Sequence, residues 1–434
     1  MAKGIKRALL LGLVLLLAAG AVFLGACKGE KAPTSPETPT SPTTPTIVQE
    51  YPALKPLVDF VGEENLSVMN LTGYKAAEKA MRELGFKRGD PDILLITDAG
   101  HPVIETGAGY PEAYYTTEGA IDGASATSGC SSGLGNLILV NRKLYDPLWF
   151  AFFDKGRKKC VYLEASGEVL RTWLDKEARG QDVIRDFLDL PAETLFAKIS
   201  AVDLNPDALI TEKGAEAWDH NFADKTLGGN EFSIVTISSV WAKGMRYDFI
   251  KAAELHNHIC PGLTSGIFIV RYLAGHHPLG KGEYYAVWAV PPWCKDDAFQ
   301  AVLDSTVGKR RMAVMYIPRD IQEKLRPEYQ NIAGIYIKFN EDTGEAKAIV
   351  LGFDWDKLCE DCGISRKDFR DFKTYKWWWA RLRADVLMME HSPEEYVSTL
   401  KEVDLGKPGS IKKLMAQWMK VGANPLSELG LMAE

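Results

Sequence analysis

The chain has 434 residues, of which 46% are apolar and 25% are charged, and its formal net charge is −7. This apolar content excludes intrinsic disorder for most of the chain. The acidic balance, with no basic run beyond the N-terminus, predicts no nucleic-acid partner. The length suits about two domains, and the seven cysteines are too few for a disulfide scaffold but enough for one metal site.

The N-terminus has the composition of an export signal. Residues 1–7 contain three basic side chains, residues 8–26 carry no charge, and the run ends in LGAC at 24–27, which resembles a lipobox. We therefore predict a signal peptide over 1–27 with Cys27 as the site of lipid attachment. An uncleaved anchor helix is the alternative. Both predict an extracytoplasmic protein anchored to the outer face of the cell membrane.

A linker follows the signal peptide. Residues 28–47 are rich in Thr, Pro, Ser and Glu, which cannot bury enough apolar surface to offset the entropy of an ordered chain. They predict a disordered, extended tether. The membrane, bound through the N-terminal lipid, is thus the first predicted partner.

Beyond the linker, apolar periodicity predicts alternating helices and strands. In the first half we expect helices over 73–85, 120–128, 166–176, 181–200 and 246–255, and strands over 92–97, 137–140, 148–153, 160–164 and 232–238. In the second half we expect helices over 261–274, 295–304 and 367–391, and strands over 284–290, 312–317, 334–339 and 347–353.

Both halves have the order α-β-α-β-β-β. Aligning Asp122 with Asp297 also places 137–140 on 312–315 without a gap. We interpret this as a tandem duplication; a chance likeness between two α+β domains is the alternative. The predicted fold class is α+β. The predicted boundaries are a first, degenerate unit at 48–200, a second unit at 201–355 and a helical C-terminal extension at 356–434.

The strongest chemical signal is HNHICPG at 256–262. Alternate positions of an extended segment share a face, so His256, His258 and Cys260 are candidate metal ligands. Imidazole and thiolate together suit Zn²⁺, and another divalent transition metal also fits. Pro261 predicts the first residue of a helix, whose positive end favours a Cys260 thiolate. The alternative is two surface histidines beside a buried cysteine.

These residues resemble the subunit-E family of formylmethanofuran dehydrogenase (FmdE-like), which has an HxHxCPG motif. The family's C-x-x-D-A-I-Q segment corresponds to CKDDAFQ at 294–300, which adds Cys294 as a ligand. Its T-G-C-T-x-G-K-G-N-L segment corresponds to 303–312, where Ser305 replaces the cysteine. The resemblance implies mixed, largely antiparallel sheets with helices on one face. It does not imply formylmethanofuran chemistry, because that pathway is cytoplasmic and this chain is predicted to be exported.

The first half resembles the family in the complementary places. SGCSSGLGNL at 128–137 keeps the cysteine, as Cys130, whereas Gly119 stands where the other cysteine belongs. The second half keeps four candidate ligands, His256, His258, Cys260 and Cys294. We hypothesise one composite site near the interface of the units, with Cys130, His101 and Asp297 as further candidates. Alternatively, Cys130 is only a small turn residue and Asp297 only caps a helix.

Three functions remain open from the sequence. The first is a metal-binding protein with an accessory or metal- or cofactor-binding role, in which His258, Cys260 and Cys294 are ligands and His256 is a fourth ligand or supports one. The second is an enzyme that uses an open zinc position. The third is an interaction module with a structural metal. A small-molecule or cofactor ligand between the units and a homodimer are further candidate partners.

A CxxC motif occurs in the C-terminal extension, at Cys359 and Cys362. Because the protein is predicted to be exported, we expect a local disulfide there, with a metal or redox role as the alternative.

Overall fold

The computed structural model describes residues 46–104 and 114–433. The predicted signal peptide, Cys27 and nearly all of the predicted linker lie outside the described residues. Ile47, the last position of the predicted linker, is buried at the start of the first helix. No helix in the described ranges is both long and apolar enough to span a bilayer.

Strands and helices are numbered in chain order. The strands in the described residues are β1 Ile93–Thr97, β2 Val103–Ile104, β3 Tyr114–Tyr115, β4 Leu137–Leu139, β5 Trp149–Asp154, β6 Lys159–Ala165, β7 Phe196–Asp203, β8 Glu283–Ala289, β9 Met312–Val314, β10 Ile332–Asn340, β11 Ala346–Phe353 and β12 Val397–Asp404. The α-helices are α1 Ile47–Glu50, α2 Lys55–Val61, α3 Val68–Leu84, α4 Glu118–Ser128, α5 Gly167–Ala178, α6 Ile184–Asp189, α7 Ala192–Leu195, α8 Pro206–Leu209, α9 Glu212–Trp218, α10 His220–Ala223, α11 Glu231–Ala242, α12 Tyr247–His256, α13 Pro261–His276, α14 Lys295–Val302, α15 Arg319–Gln322, α16 Trp355–Cys362, α17 Lys376–Met388, α18 Ile411–Trp418 and α19 Pro425–Glu428.

Two five-stranded sheets have the same strand order. The first sheet runs β4-β1-β5-β6-β7, and the second runs β9-β8-β10-β11-β12. In each sheet the short edge strand, β4 or β9, is parallel to its neighbour, and every other pair is antiparallel. The fold is therefore α+β with mixed, largely antiparallel sheets, which confirms the predicted class.

The two parallel pairs begin at the residues that the sequence alignment placed together. Leu137, the first residue of β4, pairs with Leu95, and Met312, the first residue of β9, pairs with Val287. A parallel pair needs a crossover connection. In the first half that connection includes α4, and in the second half it includes α14.

Each half also contains a close helix crossing. A Cβ atom at Gly73 of α3 would lie 2.0 Å from the Ala120 carbonyl oxygen of α4. A Cβ atom at Gly266 of α13 would lie 2.6 Å from the Lys295 carbonyl oxygen of α14. Both distances are shorter than van der Waals contact, so these two crossings require a residue without a side chain.

Helices cover both faces of each sheet. On the first sheet, α3, α4 and α5 pack on one face, and α11, α12, α13 and α17 pack on the other, in what we call the central core. On the second sheet, α13, α16 and α17 contribute to one core, and α18 and α19 to the opposite one. Helices α13 and α17 therefore belong to the cores of both sheets, and they carry part of the candidate site.

Two predicted elements are wrong. The run at 232–238, predicted as a strand, lies in helix α11. Its β-branched residues favour a strand, but Ile234, Val235, Ile237 and Val240 are all fully buried in the central core, so packing outweighs this local preference. The helix predicted over 181–200 is two short helices, α6 and α7, separated near Pro191, and the chain then enters β7.

The C-terminal extension is helical but also supplies a strand that was not predicted. β12 pairs with β11 at the edge of the second sheet, as β7 pairs with β6 in the first. The long helix expected over 367–391 is shorter, because α17 begins only at Lys376. The extension thus completes the second sheet.

Candidate metal centre

The HNHICPG segment connects two helices. His256 is the last residue of α12, Asn257 adopts a left-handed conformation with φ of 66°, and Cys260 caps α13 in an extended conformation. Pro261 is the first residue of α13, as predicted. The expectation of an extended segment over 256–260 is therefore correct only after Asn257, because α12 continues through His256.

The turn at Asn257 still brings the candidate ligands together. The ligand atoms of His256, His258 and Cys260 all lie within 4.8 Å of one another. The two imidazole rings have centroids 4.3 Å apart, and Nε2 of His256 lies 3.7 Å from Sγ of Cys260. Three donors so placed can share one ion after small side-chain adjustments.

Asp297 orients the first histidine. Nδ1 of His256 donates a hydrogen bond to Oδ2 of Asp297 over 2.6 Å, and Gln300 donates to the other carboxylate oxygen over 3.2 Å. Because a carboxylate only accepts, this bond places a ring proton on Nδ1 and directs Nε2 towards Cys260. Asp297 thus orients an imidazole, and the cap position of α14 belongs to Cys294.

Cys294 joins the group from the start of α14. Its sulfur interacts electrostatically with the side chains of Cys260 and His256. It also packs over α13, because a Cβ atom at Gly262 would lie 2.9 Å from Cβ of Cys294. The group whose ligand atoms all lie within 4.8 Å of one another contains His256, His258 and Cys260, and Cys294 lies beside it, next to Cys260 and His256.

The charges in this group are coupled. The bond with Cys260 and the neighbouring His256 lower the pKa of Cys294 to about 5, against the opposing effect of burial. The hydrogen bond that Cys260 donates to Cys294, together with burial, raises the pKa of Cys260 well above its usual range, so the thiolate is Cys294 and not Cys260 as expected. The two sulfur atoms therefore hold one proton between them, and one of them is a thiolate, the form that binds metals.

The two histidines differ because only one has an anionic partner. Burial is the largest effect on each and lowers the pKa. Asp297 and Cys294 outweigh it at His256 and raise its pKa to about 9. At His258, burial together with His256 and Arg381 lowers the pKa to about 3, so that ring is neutral and ready to act as a ligand.

The first sheet contributes to the site through Asn141, which hydrogen-bonds to the end of α12; we call this attachment the asparagine clamp. Asn141, just after β4, donates from its main-chain nitrogen to Glu254 O and from its side chain to Leu255 O, both over 2.9 Å. His101 donates to the Asn141 side chain over 3.0 Å. His101 therefore acts on the site through Asn141, by holding the end of α12 in place.

Cys130 is not brought to this group. It packs in the core of α3 and α4, with Sγ 3.8 Å from the Ile93 carbonyl oxygen, and burial raises its pKa to about 11. In the second half, Ser305 donates to the Tyr285 carbonyl oxygen over 3.0 Å. Cys130 and Ser305 thus occupy corresponding positions. Each side chain contacts a main-chain carbonyl oxygen near the start of a strand, β1 for Cys130 and β8 for Ser305.

Cys359 and Cys362 are free thiols in the structure. Both are buried one turn apart on α16, and burial raises the pKa of each thiol. The expected disulfide is therefore not formed here, and both thiols contribute to packing.

Several residues of the site were missed in the sequence. Thr264 in the first turns of α13 donates over 2.6 Å to the fully buried Asp385 of α17, whose other oxygen has no hydrogen-bond partner within the described part of the chain. Arg381 lies on the same helix, and Phe232 of α11 has its ring 5.1 Å from that of His258. The single acidic side chain of α17, Asp385, was the one usable signal.

A second group of side chains is less suited to a metal. Asp361, His391 and Glu395 also have ligand atoms within 4.8 Å, but both carboxylates are exposed. Lys357 pairs with Asp361 over 2.8 Å, and His391 pairs with Glu395 over 2.9 Å. These charges are already compensated locally.

The site lies within a segment that resembles a known family. Residues 255–361 match the family described as FmdE, molybdenum formylmethanofuran dehydrogenase operon. This segment is about a quarter of the chain and includes the four candidate ligands and Asp297. It leaves out the first sheet, α11 and α17. No curated protein matches the chain.

Proposed function

We propose that this protein binds a metal ion, zinc in the first place, through His256, His258, Cys260 and Cys294. The observation that carries the proposal is the cluster itself, in which two imidazoles and the Cys260 thiol lie within 4.8 Å of one another and Cys294 lies beside them. The donor set fits the ion, because zinc takes tetrahedral nitrogen and sulfur ligands, and a bound zinc ion supplies Lewis acidity or cross-links the fold.

The carboxylate on His256 supports the same proposal. Histidine ligands of zinc commonly donate their second ring nitrogen to a carboxylate, which fixes the tautomer and the ring orientation. Asp297 has this arrangement with His256. The other nitrogen of the same ring, Nε2, is directed at Cys260.

We favour an accessory or cofactor-binding role over hydrolysis. Hydrolysis at zinc needs a base near the metal. Glu254, the nearest carboxylate in the sequence of the motif, pairs with Lys251 over 2.6 Å, and Asp297 is bonded to His256. A purely structural metal is the alternative, because four protein ligands would complete the tetrahedral coordination of zinc.

The cellular place of this function is also a proposal. The basic start, apolar run and LGAC sequence at 24–27 support export with a lipid on Cys27. The protein would then bind its metal at the outer face of the cell membrane. We further propose a tandem duplication, which the shared strand order, the shared register and the two close helix crossings support.

Metal analysis of the purified protein tests the binding proposal. We expect about one zinc ion per chain, and a loss of zinc in Cys260→Ala and in Cys294→Ala. Cys130→Ala is the matched control, because it removes a buried thiol from another core. Unchanged zinc content in both site variants would overturn the assignment.

A further inference from the structure

An aromatic surface leads away from the candidate ligands. The ring of Phe232 lies 5.1 Å from that of His258 and 5.2 Å from that of Trp377, and Phe372 lies 5.6 Å from Trp377. His258, Phe232 and Trp377 are half-buried, whereas Phe372 is 67% exposed. We call these three aromatic residues, Phe232, Phe372 and Trp377, the aromatic wall. It connects the metal centre to solvent.

Arg381 lies on this wall. Its guanidinium carbon is 5.3 Å from the ring centre of Phe372 and 5.6 Å from that of Trp377. NH1 donates to the Trp377 carbonyl oxygen one turn back on the same helix, over 2.7 Å. Stacking on aromatic rings fixes the plane of a guanidinium group and leaves its remaining N–H groups free to bind another partner.

No carboxylate within the described residues forms an ion pair with Arg381. Asp385, one turn further along α17, is buried and bonded to Thr264. Burial lowers the pKa of Arg381, and the nearby acidic groups of Cys260, Asp385 and Cys294 oppose this effect. The guanidinium therefore lies within electrostatic range of the thiols but lacks a directly bonded anion, which is costly for a half-buried cation.

We propose that the site binds a small aromatic carboxylate, with its carboxylate paired to Arg381 beside the metal centre and its ring against the aromatic wall. A guanidinium group binds a carboxylate through paired hydrogen bonds, and aromatic rings favour a flat apolar partner. The inference rests on the proposed metal binding and adds a ligand class to it. Phe232, Phe372 and Arg381 lie outside the segment that matches FmdE, so they would give this chain a specificity of its own.

Titration calorimetry with 2-naphthoate tests this inference. The full chain is loaded with zinc, its zinc content is measured, and naphthoate is compared with the neutral 2-naphthalenemethanol. We expect naphthoate to bind and the alcohol to bind at least about tenfold more weakly, because it lacks the charge. Removing zinc should weaken naphthoate binding as well.

Arg381→Gln should weaken naphthoate binding by about tenfold or more and leave the zinc content unchanged. Arg370→Gln, an exposed arginine shortly before α17, is the matched control and should bind as the unaltered protein does. Phe372→Ala should weaken naphthoate and the alcohol alike, because it removes ring contact and no charge.

Zinc-loaded protein that binds no naphthoate, binds both probes equally, or binds naphthoate unchanged in Arg381→Gln would overturn the inference and leave the metal proposal standing. A chain that takes up no zinc would overturn both.

Discussion

The two close helix crossings, α3 with α4 and α13 with α14, have the same backbone arrangement but different side chains. We call the start of α13 and α14 the cysteine corner and the start of α3 and α4 the serine corner. Cys260 lies six residues before the crossing glycine Gly266, and Ser67 lies six residues before Gly73. Each is the extended cap of its helix.

The partner helices correspond as well. Cys294 comes directly before Lys295, whose carbonyl oxygen meets Gly266, and Gly119 comes directly before Ala120, whose carbonyl oxygen meets Gly73. Gly119 thus has the place of Cys294.

The serine corner satisfies its own polar groups. Asn70 donates from its main chain to the Ser67 hydroxyl over 3.1 Å and from its side chain to the Gly119 carbonyl oxygen over 3.0 Å. The cysteine corner instead directs thiols and imidazoles at one another. One backbone frame can therefore hold either a closed hydrogen-bond network or a set of metal donors, and a few side chains decide which.

The largest effect is expected from giving the cysteine corner the residues of the serine corner. In the double variant C260S/C294G we expect zinc affinity to fall by at least about a thousandfold, because two sulfur ligands are lost. Competition with a chelator measures it. The reverse double variant S67C/G119C should gain no zinc, since the serine corner has no histidines. Zinc uptake there would show that the frame and cysteines alone suffice.

The next effect separates the frame from the donors. Gly73→Ala places a methyl group against the Ala120 carbonyl oxygen, and we expect a loss of about 3 kcal/mol of unfolding free energy, measured by urea denaturation. Gly266→Ala should cost less, because its clash is milder. Gly275→Ala in α13, which meets no atom within 4 Å, is the control and should stabilise the helix slightly. Equal stability of all three variants would contradict the close crossings.

A smaller effect is expected from the residue that orients His256. Asp297→Asn should weaken zinc binding by about 10- to 100-fold, the usual cost of losing a carboxylate partner of a histidine ligand. The corresponding residue of the first half is Asp122. Asp122→Asn should leave zinc affinity unchanged, and an equal loss in the two variants would indicate a general charge effect.

The smallest effect tests the closed network of the serine corner. Asn70→Ala leaves the Gly119 carbonyl oxygen and the Ser67 main-chain nitrogen without this partner, so we expect a loss of about 1–2 kcal/mol of unfolding free energy. Zinc content should not change. A loss of zinc would show that the two corners are coupled.

The sequence predicts the proximity of the candidate donors, because they are local. His256, His258 and Cys260 lie within one turn, so their spacing alone brings them together, and Cys294 follows from a second motif at a helix start. The assignment of Asp297 remained open in the sequence, because a carboxylate in the first turn of a helix serves equally as a cap or a partner.

The residues around the donors could not be predicted in the same way. Arg381 and Asp385 reach the site because α17 packs against α11 and α13, which is a contact between distant parts of the chain. The same limit explains β12, whose pairing with β11 spans an intervening pair of helices. The helix at 232–238 is buried on all sides, so its sequence has no polar face. Without a polar face, the helical periodicity of the run cannot be recognised.

The asparagine clamp at the end of β4 has a consequence for any attempt to isolate the metal centre. Asn141 bonds the main chain at Glu254 and Leu255, so the position of His256 depends on a strand edge more than a hundred residues earlier. A fragment limited to 255–361 keeps every candidate ligand but loses that attachment. The donor set is encoded locally, whereas its geometry belongs to the whole folded chain.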